Sequence, residues 1–386
     1  MSGTRAWIGR IALAATVTFV TLAITAVCGE ILVRARERRR PYLDGTMPLL
    51  FYQHGQLGHA LMRDFDYGGR IHIDREGFRG REVSVAKHAG VVRIMIIGSS
   101  TTFDPGVSAD SASWPARLEH WLTKRAPGTP VEVINAGVPG YSVMTDVIRL
   151  ETDLYRYQPD LIVLYEGHND LFGSLRTGRQ RDGFEGNTPG EVPVVTPWTH
   201  WLTQHSLLYG KLVEHMNVFR FRASGHRALA RAGAAVPSDS EVVDRAARDF
   251  ERGLRLFVTV AHSCGARVVI PELVQASGFV PNPERDSVVW HSWSYTVPFA
   301  RSETVLSTYA RFSQVAKAVA GELGATWIPT ESFQLVGAQW YEPGDPIHFN
   351  DRGADRMAQG IADALVAAHV VDTRARPVVV SRNPGE

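Results

Sequence analysis

The sequence has little cysteine and almost no net charge, and each shortage excludes a class of protein. Its 386 residues include two cysteines, Cys28 and Cys264, in separate regions. Neither a disulfide framework nor a cysteine-based zinc site is therefore available. The 41 Lys and Arg residues and 40 Asp and Glu residues leave a formal charge of +1. Because no excess of positive charge exists to hold a polyphosphate, we do not expect nucleic acid as a partner.

Long apolar runs are also missing, except for one near the N-terminus. Residues 11–29 carry no charged side chain. At about 1.5 Å per residue this run nearly spans a hydrocarbon core of about 30 Å. We predict that residues 1–40 hold a single-pass membrane anchor and a basic juxtamembrane stalk. A cleaved secretory signal, a buried core helix and lipidation at Cys28 are the alternatives.

The charges around the apolar run bear on its orientation. Two arginines precede it, and five follow it between residues 34 and 40. A count of positive charges would therefore leave the rest of the chain in the cytoplasm. The five arginines are equally compatible with a solvated stalk or with contact to anionic lipid headgroups.

The remaining chain divides by composition. Residues 41–90 lack a sustained hydrophobic period and predict a linker followed by an irregular or short-stranded lead-in. Residues 91–370 predict one domain, with insertions at about 173–240 and 275–301 that carry aromatic residues. The insertions are candidate substrate walls, or clusters that close their own small cores. Residues 371–386 predict a disordered tail.

Five short apolar runs predict a parallel sheet. Near-continuous apolarity is typical of strands covered on both faces, and the amphipathic stretches between the runs predict helices. Asn350 is placed to cap the last helix. This alternation predicts an α/β fold whose ligands bind at the carboxyl ends of the strands. The predicted strands cover residues 91–97, 131–134, 161–165, 268–270 and 326–328.

Small polar motifs follow the first three predicted strands. Ser100, in the hydroxyl-rich turn at 98–102, is a candidate nucleophile, although serine-rich turns also cap helices. Gly140 can bring its backbone amide close to a ligand, or it can simply allow a tight turn. The side-chain amide of Asn169 can donate to an oxyanion, or it can cap its own turn.

A fourth motif, DPIH at residues 345–348, lies after the fifth strand. Proline biases Asp345 away from helical geometry, so the carboxylate can fold back onto Nδ1 of His348. Nε2 would then be free to take a proton from a serine. The alternative is an ordinary surface-loop histidine, one of 14 in the chain. All four motifs follow strands of one parallel sheet, so we expect them to converge at one edge.

Together the four motifs resemble the conserved blocks of the SGNH (GDSL-type) serine hydrolases, in particular members of the membrane-anchored bacterial type. They are Gly-x-Ser at 98–100, Asn-Ala-Gly-x-x-Gly at 135–140, Gly-x-Asn-Asp at 167–170 and Asp-x-x-His at 345–348. The resemblance covers about residues 91–370, apart from the insertions. It implies a flavodoxin-like three-layer α/β/α fold with a five-stranded parallel sheet, and a serine ester hydrolase.

Carried over residue by residue, the resemblance implies that Ser100 is the nucleophile and that Asp345 and His348 complete the triad. The amides of Ser100 and Gly140 and the side chain of Asn169 would form the oxyanion hole. No metal or organic cofactor is implied. The chain departs from the family pattern at Ser99, where an acidic residue is usual, but that position is not a triad member.

Residues 74–80 (DREGFRG) are similar to a motif that opens the domain in bacterial family members with an N-terminal anchor. The resemblance therefore favours an extracytoplasmic catalytic domain. The substrate class it implies is an O-acyl or O-acetyl ester of a glycan, a lipid or a small molecule. Acyl transfer to a sugar hydroxyl and a non-catalytic, membrane-tethered binding module are the alternatives. A phosphate loop is rejected, because residues 98–102 lack the lysine and the glycine spacing.

Overall fold

The computed structural model divides the chain into two units. One comprises Met1–Leu49 and Pro193–Arg231, and the other comprises Leu50–Val192 and Ala232–Glu386. The first part of the predicted linker, most of both predicted insertions and nearly all of the predicted tail lie outside the described residues. The described residues are 2–37, 50–177, 198, 201–202, 205–212, 216, 239–276 and 302–371.

The first unit contains one long apolar helix, α1 (Ser2–Glu37). Its segment Gly9–Arg36 is long and apolar enough to cross a membrane, a test that a signal sequence also passes. The hydroxyls of Thr16, Thr21 and Thr25 each donate to the carbonyl four residues earlier, at 2.8–2.9 Å. These three hydroxyls therefore have partners within the helix, as a lipid environment requires of polar groups.

The second unit is built on a five-stranded parallel sheet in the order β6-β5-β7-β8-β9, which confirms the predicted α/β class. Its central strands β5 and β7 are almost wholly buried, in keeping with their unbroken apolar sequences. Gly98 at the end of β5 pairs with Tyr165 at the end of β7, so the two strands end side by side. The strands are β5 (Val92–Gly98), β6 (Val131–Asn135), β7 (Leu161–Tyr165), β8 (Arg267–Pro271) and β9 (Thr326–Ile328).

Helices flank the sheet and bury their apolar stripes against it. The last helix packs against α3, while α6 packs against α4, α5 and α7. The Asn350 side chain caps the last helix, accepting the amides of Arg352 and Gly353 at 3.1 and 3.0 Å. The helices are α2 (Ser100–Phe103), α3 (Trp114–Arg125), α4 (Val143–Thr152), α5 (His168–Thr177), α6 (Asp239–Ser263), α7 (Ser302–Leu323) and α8 (Asp351–Ala367).

The lead-in segment, residues 50–83, folds as two antiparallel hairpins followed by a turn. The turn closes around the Asp74 carboxylate, which accepts the amides of Glu76, Phe78 and Val83 at 2.7–3.0 Å. Three amides on one buried carboxylate hold this stretch in a fixed shape. The hairpins are β1 (Phe51–His54) with β2 (Gly58–Leu61), and β3 (Phe65–Tyr67) with β4 (Ile71–Ile73).

Candidate active site

The turn from β5 into α2 presents Ser100 at the carboxyl edge of the sheet, as the first residue of α2. The turn depends on Gly98, whose φ is +153°. A Cβ at this position would lie 2.2 Å from the Tyr165 carbonyl oxygen and 2.5 Å from Thr102 Oγ1. Since real Cβ atoms do not approach other atoms so closely, only glycine fits here.

A hydrogen-bonded series joins Ser100 to His348, 248 positions later in the chain, and through it to Asp345. Ser100 Oγ lies 2.8 Å from Nε2 of His348, and Nδ1 of His348 lies 2.6 Å from Oδ2 of Asp345. The other oxygen, Oδ1 of Asp345, accepts the amides of Ile347 and His348 at 2.9 Å each. The turn before α8 therefore fixes the carboxylate, and the carboxylate fixes the imidazole.

The electrostatics of the pair favour an ionised Asp345 and a basic imidazole. Burial alone would raise the pKa of Asp345, but His348 and the two backbone amides hold it below its usual value. Burial alone would lower the pKa of His348, yet the neighbouring Asp345 carboxylate raises it above its usual value. This arrangement makes Nε2 a ready acceptor for the Ser100 hydroxyl proton.

Two further carboxyl groups near His348 were not singled out by the sequence motifs. Burial raises the pKa of Asp104 to about 7, against a hydrogen bond from the Trp114 amide and the charge of Arg79. Burial also raises the pKa of Glu342 to about 7, and the Asp345 charge adds to the rise. Both groups add to the elevated pKa of His348. In the sequence, Asp104 and Glu342 are marked only by lying within a few positions of Ser100 and Asp345. Many carboxylates with a purely structural role lie equally near to such residues.

Gly140 lies in the turn that follows β6, and Asn169 lies at the start of α5, directly after β7. Gly140 has a φ of +88°, a conformation that favours glycine. Asn169 is the second residue of α5, and its Nδ2 donates to the Tyr141 carbonyl at 2.8 Å. That hydrogen bond connects the two turns and uses one of the two amide hydrogens of Asn169.

The residue before Asn169 also supports this edge of the sheet. His168 is 1% exposed, and its Nδ1 lies 2.7 Å from the Tyr309 hydroxyl on α7. Burial lowers the pKa of His168 to about 3, so the ring is neutral at ordinary pH. His168 therefore ties the start of α5 to α7 without adding a charge beside the His348 ring. Its signal in the sequence is only its place inside the Gly-x-Asn-Asp motif.

Arg79, the second arginine of the DREGFRG motif, supports the end of α2. Its buried guanidinium donates to the carbonyls of Phe103 and Asp104 at 2.8 and 2.6 Å. Its Nε also pairs with Oδ1 of Asp110 at 2.7 Å. A helix as short as α2 leaves its last carbonyls without intrahelical partners, and Arg79 satisfies them.

Within the part of the chain that the structure describes, no group of three or more His, Cys, Asp or Glu side chains is placed to hold a metal ion.

The fold is that of a three-layer α/β enzyme with its reactive side chains at the carboxyl edge of a parallel sheet. A model of the GDSL-like Lipase/Acylhydrolase family matches residues 96–356, well over half of the chain. The chain therefore belongs to the GDSL-like lipase/acylhydrolase family, and it is a carboxylic ester hydrolase. A search of curated proteins found no relative that matches significantly.

Similar solved structures share little sequence with this chain. LAE5, an alpha/beta hydrolase enzyme from the metagenome of Lake Arreo, is 14% identical, with 71% of this chain and 94% of LAE5 covered at a TM-score of 0.41. A catalytic mutant of Axe2, an acetylxylan esterase from Geobacillus stearothermophilus, is 14% identical, with 70% of this chain and 92% of Axe2 covered at a TM-score of 0.40. TesA is 16% identical, with 71% of this chain and 98% of TesA covered at a TM-score of 0.40.

Proposed function

We propose that the protein hydrolyses an O-acyl or O-acetyl ester through a covalent acyl-enzyme on Ser100. The observation that carries the proposal is the continuous hydrogen-bonded series from Ser100 through His348 to Asp345, with heavy-atom distances of 2.8 and 2.6 Å. These distances lie within the range that proton transfer between a serine and its general base requires.

In the proposed first step, Ser100 Oγ attacks the ester carbonyl carbon while its proton passes to Nε2 of His348. The imidazolium then gives this proton to the departing alkoxide, and the acyl group stays on Ser100. In the second step His348 takes a proton from a water molecule, whose oxygen attacks the acyl carbonyl, and the imidazolium then returns the proton to Ser100 Oγ as the bond to the acyl group breaks and the acid leaves. Asp345 keeps its negative charge throughout and stabilises the imidazolium.

The negative charge that develops on the carbonyl oxygen needs donors. We assign this role to the amides of Ser100 and Gly140 and to the Asn169 side chain. The remaining amide hydrogen of Asn169, the one not donated to Tyr141, supports the assignment. No step of the proposed reaction calls for a metal ion or an organic cofactor.

The test is hydrolysis of a short p-nitrophenyl ester by two neighbouring variants. Ser100→Ala removes the nucleophile, so turnover should fall by about a thousandfold or more. Ser99→Ala is the matched control, and we expect it to retain most of the turnover because Ser99 is not part of the series. Equal rates for Ser100→Ala and the native chain would overturn the assignment.

We further propose that α1 is retained as an anchor and is not cleaved as a signal. Its Glu30 carboxylate accepts hydrogen bonds from Ser206 Oγ at 2.8 Å and from the amides of Leu207 and Leu208 at 3.0 Å. A Cβ on Gly29 would lie 2.9 Å from a methyl group of Leu208. Contacts this close between the helix and residues 206–208 support a helix that stays with the mature chain.

We propose that the anchor holds the catalytic domain outside the cytoplasm, where esters of glycans and lipids are accessible to it. The five arginines after the span oppose this orientation. Fusion of alkaline phosphatase or green fluorescent protein to the C-terminus tests it. We expect phosphatase activity without fluorescence, and N-terminal sequencing of the membrane fraction should recover the uncleaved chain. Fluorescence of the green fluorescent protein fusion, without activity of the phosphatase fusion, would contradict the proposed orientation and place the catalytic domain in the cytoplasm.

A further inference from the structure

A histidine of the lead-in segment contacts the turn that holds Gly140. His59 on β2 is 2% exposed, and its ring packs edge-on against Phe51 and Tyr141 at centroid distances of 4.9 and 5.1 Å. Its Nε2 lies 2.8 Å from the carbonyl oxygen of Pro139. A carbonyl oxygen can only accept, so Nε2 carries the hydrogen and donates it.

The state of the ring follows from its surroundings. Nδ1 of His59 is buried and has no hydrogen-bond partner among the described residues. Burial lowers the pKa of His59, although its hydrogen bond to Pro139 acts in the opposite direction. The ring is therefore neutral, with its hydrogen on Nε2, over the pH range in which His348 acts as a base.

The carbonyl that His59 holds belongs to the same peptide plane as the Gly140 amide. The six atoms of a peptide unit are coplanar, and in the trans form the C=O and the N–H point in opposite directions. A hydrogen bond that fixes the Pro139 C=O therefore fixes the direction of the Gly140 N–H. It also polarises the peptide unit, which makes that N–H a stronger donor.

This turn has a second attachment to the hairpin. The Tyr141 hydroxyl donates to the backbone carbonyl of His59 at 2.6 Å, and the Tyr141 carbonyl accepts from Asn169 at 2.8 Å. A continuous series thus runs from β2 through the Gly140 turn to Asn169. Both oxyanion donors outside α2 are held by it.

We propose that His59 is a positioning residue for the oxyanion hole, which orients the Gly140 amide by donating to the Pro139 carbonyl. The inference rests on the proposed role of Gly140 as an oxyanion donor. His59 lies before residue 96, where the family match begins. The lead-in segment is accordingly part of the catalytic apparatus and not a spacer between anchor and domain.

The test compares three variants of His59 in the full chain, solubilised in detergent, with p-nitrophenyl acetate as substrate. His59→Gln keeps an N–H donor at a similar reach, His59→Met has a similar size but no donor, and His59→Asn has a donor that is too short. We expect kcat to fall on the order of tenfold in His59→Met and His59→Asn, with KM changed less than about twofold. This decrease in kcat is smaller than the decrease of about a hundredfold or more that follows the removal of a whole oxyanion donor. His59→Gln should recover most of kcat.

His120, an exposed histidine of α3, supplies the control His120→Gln, which should behave like the native chain. Equal kcat for the native chain and all three His59 variants would overturn the inference. So would an equal loss in all three that follows their melting temperatures, since this would show a purely structural role. If His59→Met fails to fold, the comparison of Gln with Asn still decides. Hydrolysis surviving in Ser100→Ala would instead refute the proposed function.

Discussion

At the residue scale, the acid–base behaviour of His348 is set by three carboxyl groups. Asp345 is hydrogen-bonded to the ring, while Asp104 and Glu342 act through their charge. All three raise the pKa of His348, against the opposite effect of burial. Since only neutral His348 accepts the Ser100 proton, activity should rise with pH through the elevated pKa of this histidine.

Removing one of these charges should move the pH profile. Glu342→Gln eliminates a carboxyl group that becomes negative as pH rises through its pKa of about 7, so the pKa of His348 falls and the acid limb of kcat/KM moves to lower pH. The measurement is the pH dependence of kcat/KM on a p-nitrophenyl ester. Glu331→Gln, at an exposed position, is the matched control and should leave the profile in place. A shift of the acid limb to higher pH would contradict this account.

The motifs place Ser100, Asp345 and His348 after strands of one parallel sheet, and such strands all end at one edge, where the structure brings the three side chains within hydrogen-bonding distance. Asp104, Glu342 and His59 could not be found in the same way. Asp104 reaches the site because the chain turns sharply after α2, with a φ of +68° at this residue. His59 reaches it through a hairpin whose strands are each only four residues long. Such turns leave little hydrophobic pattern in a sequence.

At the element scale, the site depends on the turn between β5 and α2. Arg79 holds the carbonyls of Phe103 and Asp104 at the end of α2, and Gly98 at the start of the turn has room only for a hydrogen side chain. The parallel sheet and the amphipathic helices behind this turn were predictable from apolar runs and helical stripes. The sequence predicted the lead-in segment only as an irregular or short-stranded stretch and did not reveal its two hairpins, since their strands are too short to show alternation.

Two glycine variants separate the steric requirement at Gly98, which has no room for a Cβ, from the general cost of a positive φ. Gly98→Ala must place a Cβ 2.2 Å from the Tyr165 carbonyl oxygen, so the strand or helix has to move. We expect a loss of stability greater than about 2 kcal/mol and loss of most activity. Thermal unfolding and ester hydrolysis measure the two effects.

Gly265→Ala is the control, because Gly265 also has a positive φ, +81°, but open space around it. It should lose about 1 kcal/mol of stability from backbone strain and keep its activity. If the two variants lose the same stability and both stay active, the steric account of the turn between β5 and α2 is wrong.

At the scale of the whole molecule, the core around the starts of α4 and α5 contains several carboxyl groups. Burial raises the pKa of Asp146 and Glu166 well above their usual values, and that of Asp170 to about 7. Both side-chain oxygens of Asp146 lack hydrogen-bond partners in the described part of the chain. The folded protein therefore holds these groups protonated where the unfolded chain would ionise them.

This cluster predicts how stability changes with pH. The pKa of Asp146 is higher in the folded state than in the unfolded state, so the folded state binds one proton more between the two values. The free energy of unfolding therefore falls as pH rises from the unfolded pKa of about 3.8 toward the folded pKa. Asp146→Asn removes this dependence, so its advantage over the native chain should grow between about pH 5 and pH 8. Urea unfolding at both pH values measures it. Asp244→Asn, at an exposed position of α6, should show no such growth, and an advantage of Asp146→Asn that shrinks with pH would contradict the account.

The central claim is that Ser100 forms a covalent acyl-enzyme with His348 as its base. Treatment of the full chain with a fluorophosphonate, followed by peptide mass spectrometry, tests it most directly, because the reagent phosphonylates a serine that a general base has activated. We predict one adduct on Ser100, lost in Ser100→Ala and strongly slowed in His348→Gln. A folded native chain that stays unlabelled at Ser100, or that is labelled equally fast without His348, would contradict the claim and favour a non-catalytic binding module.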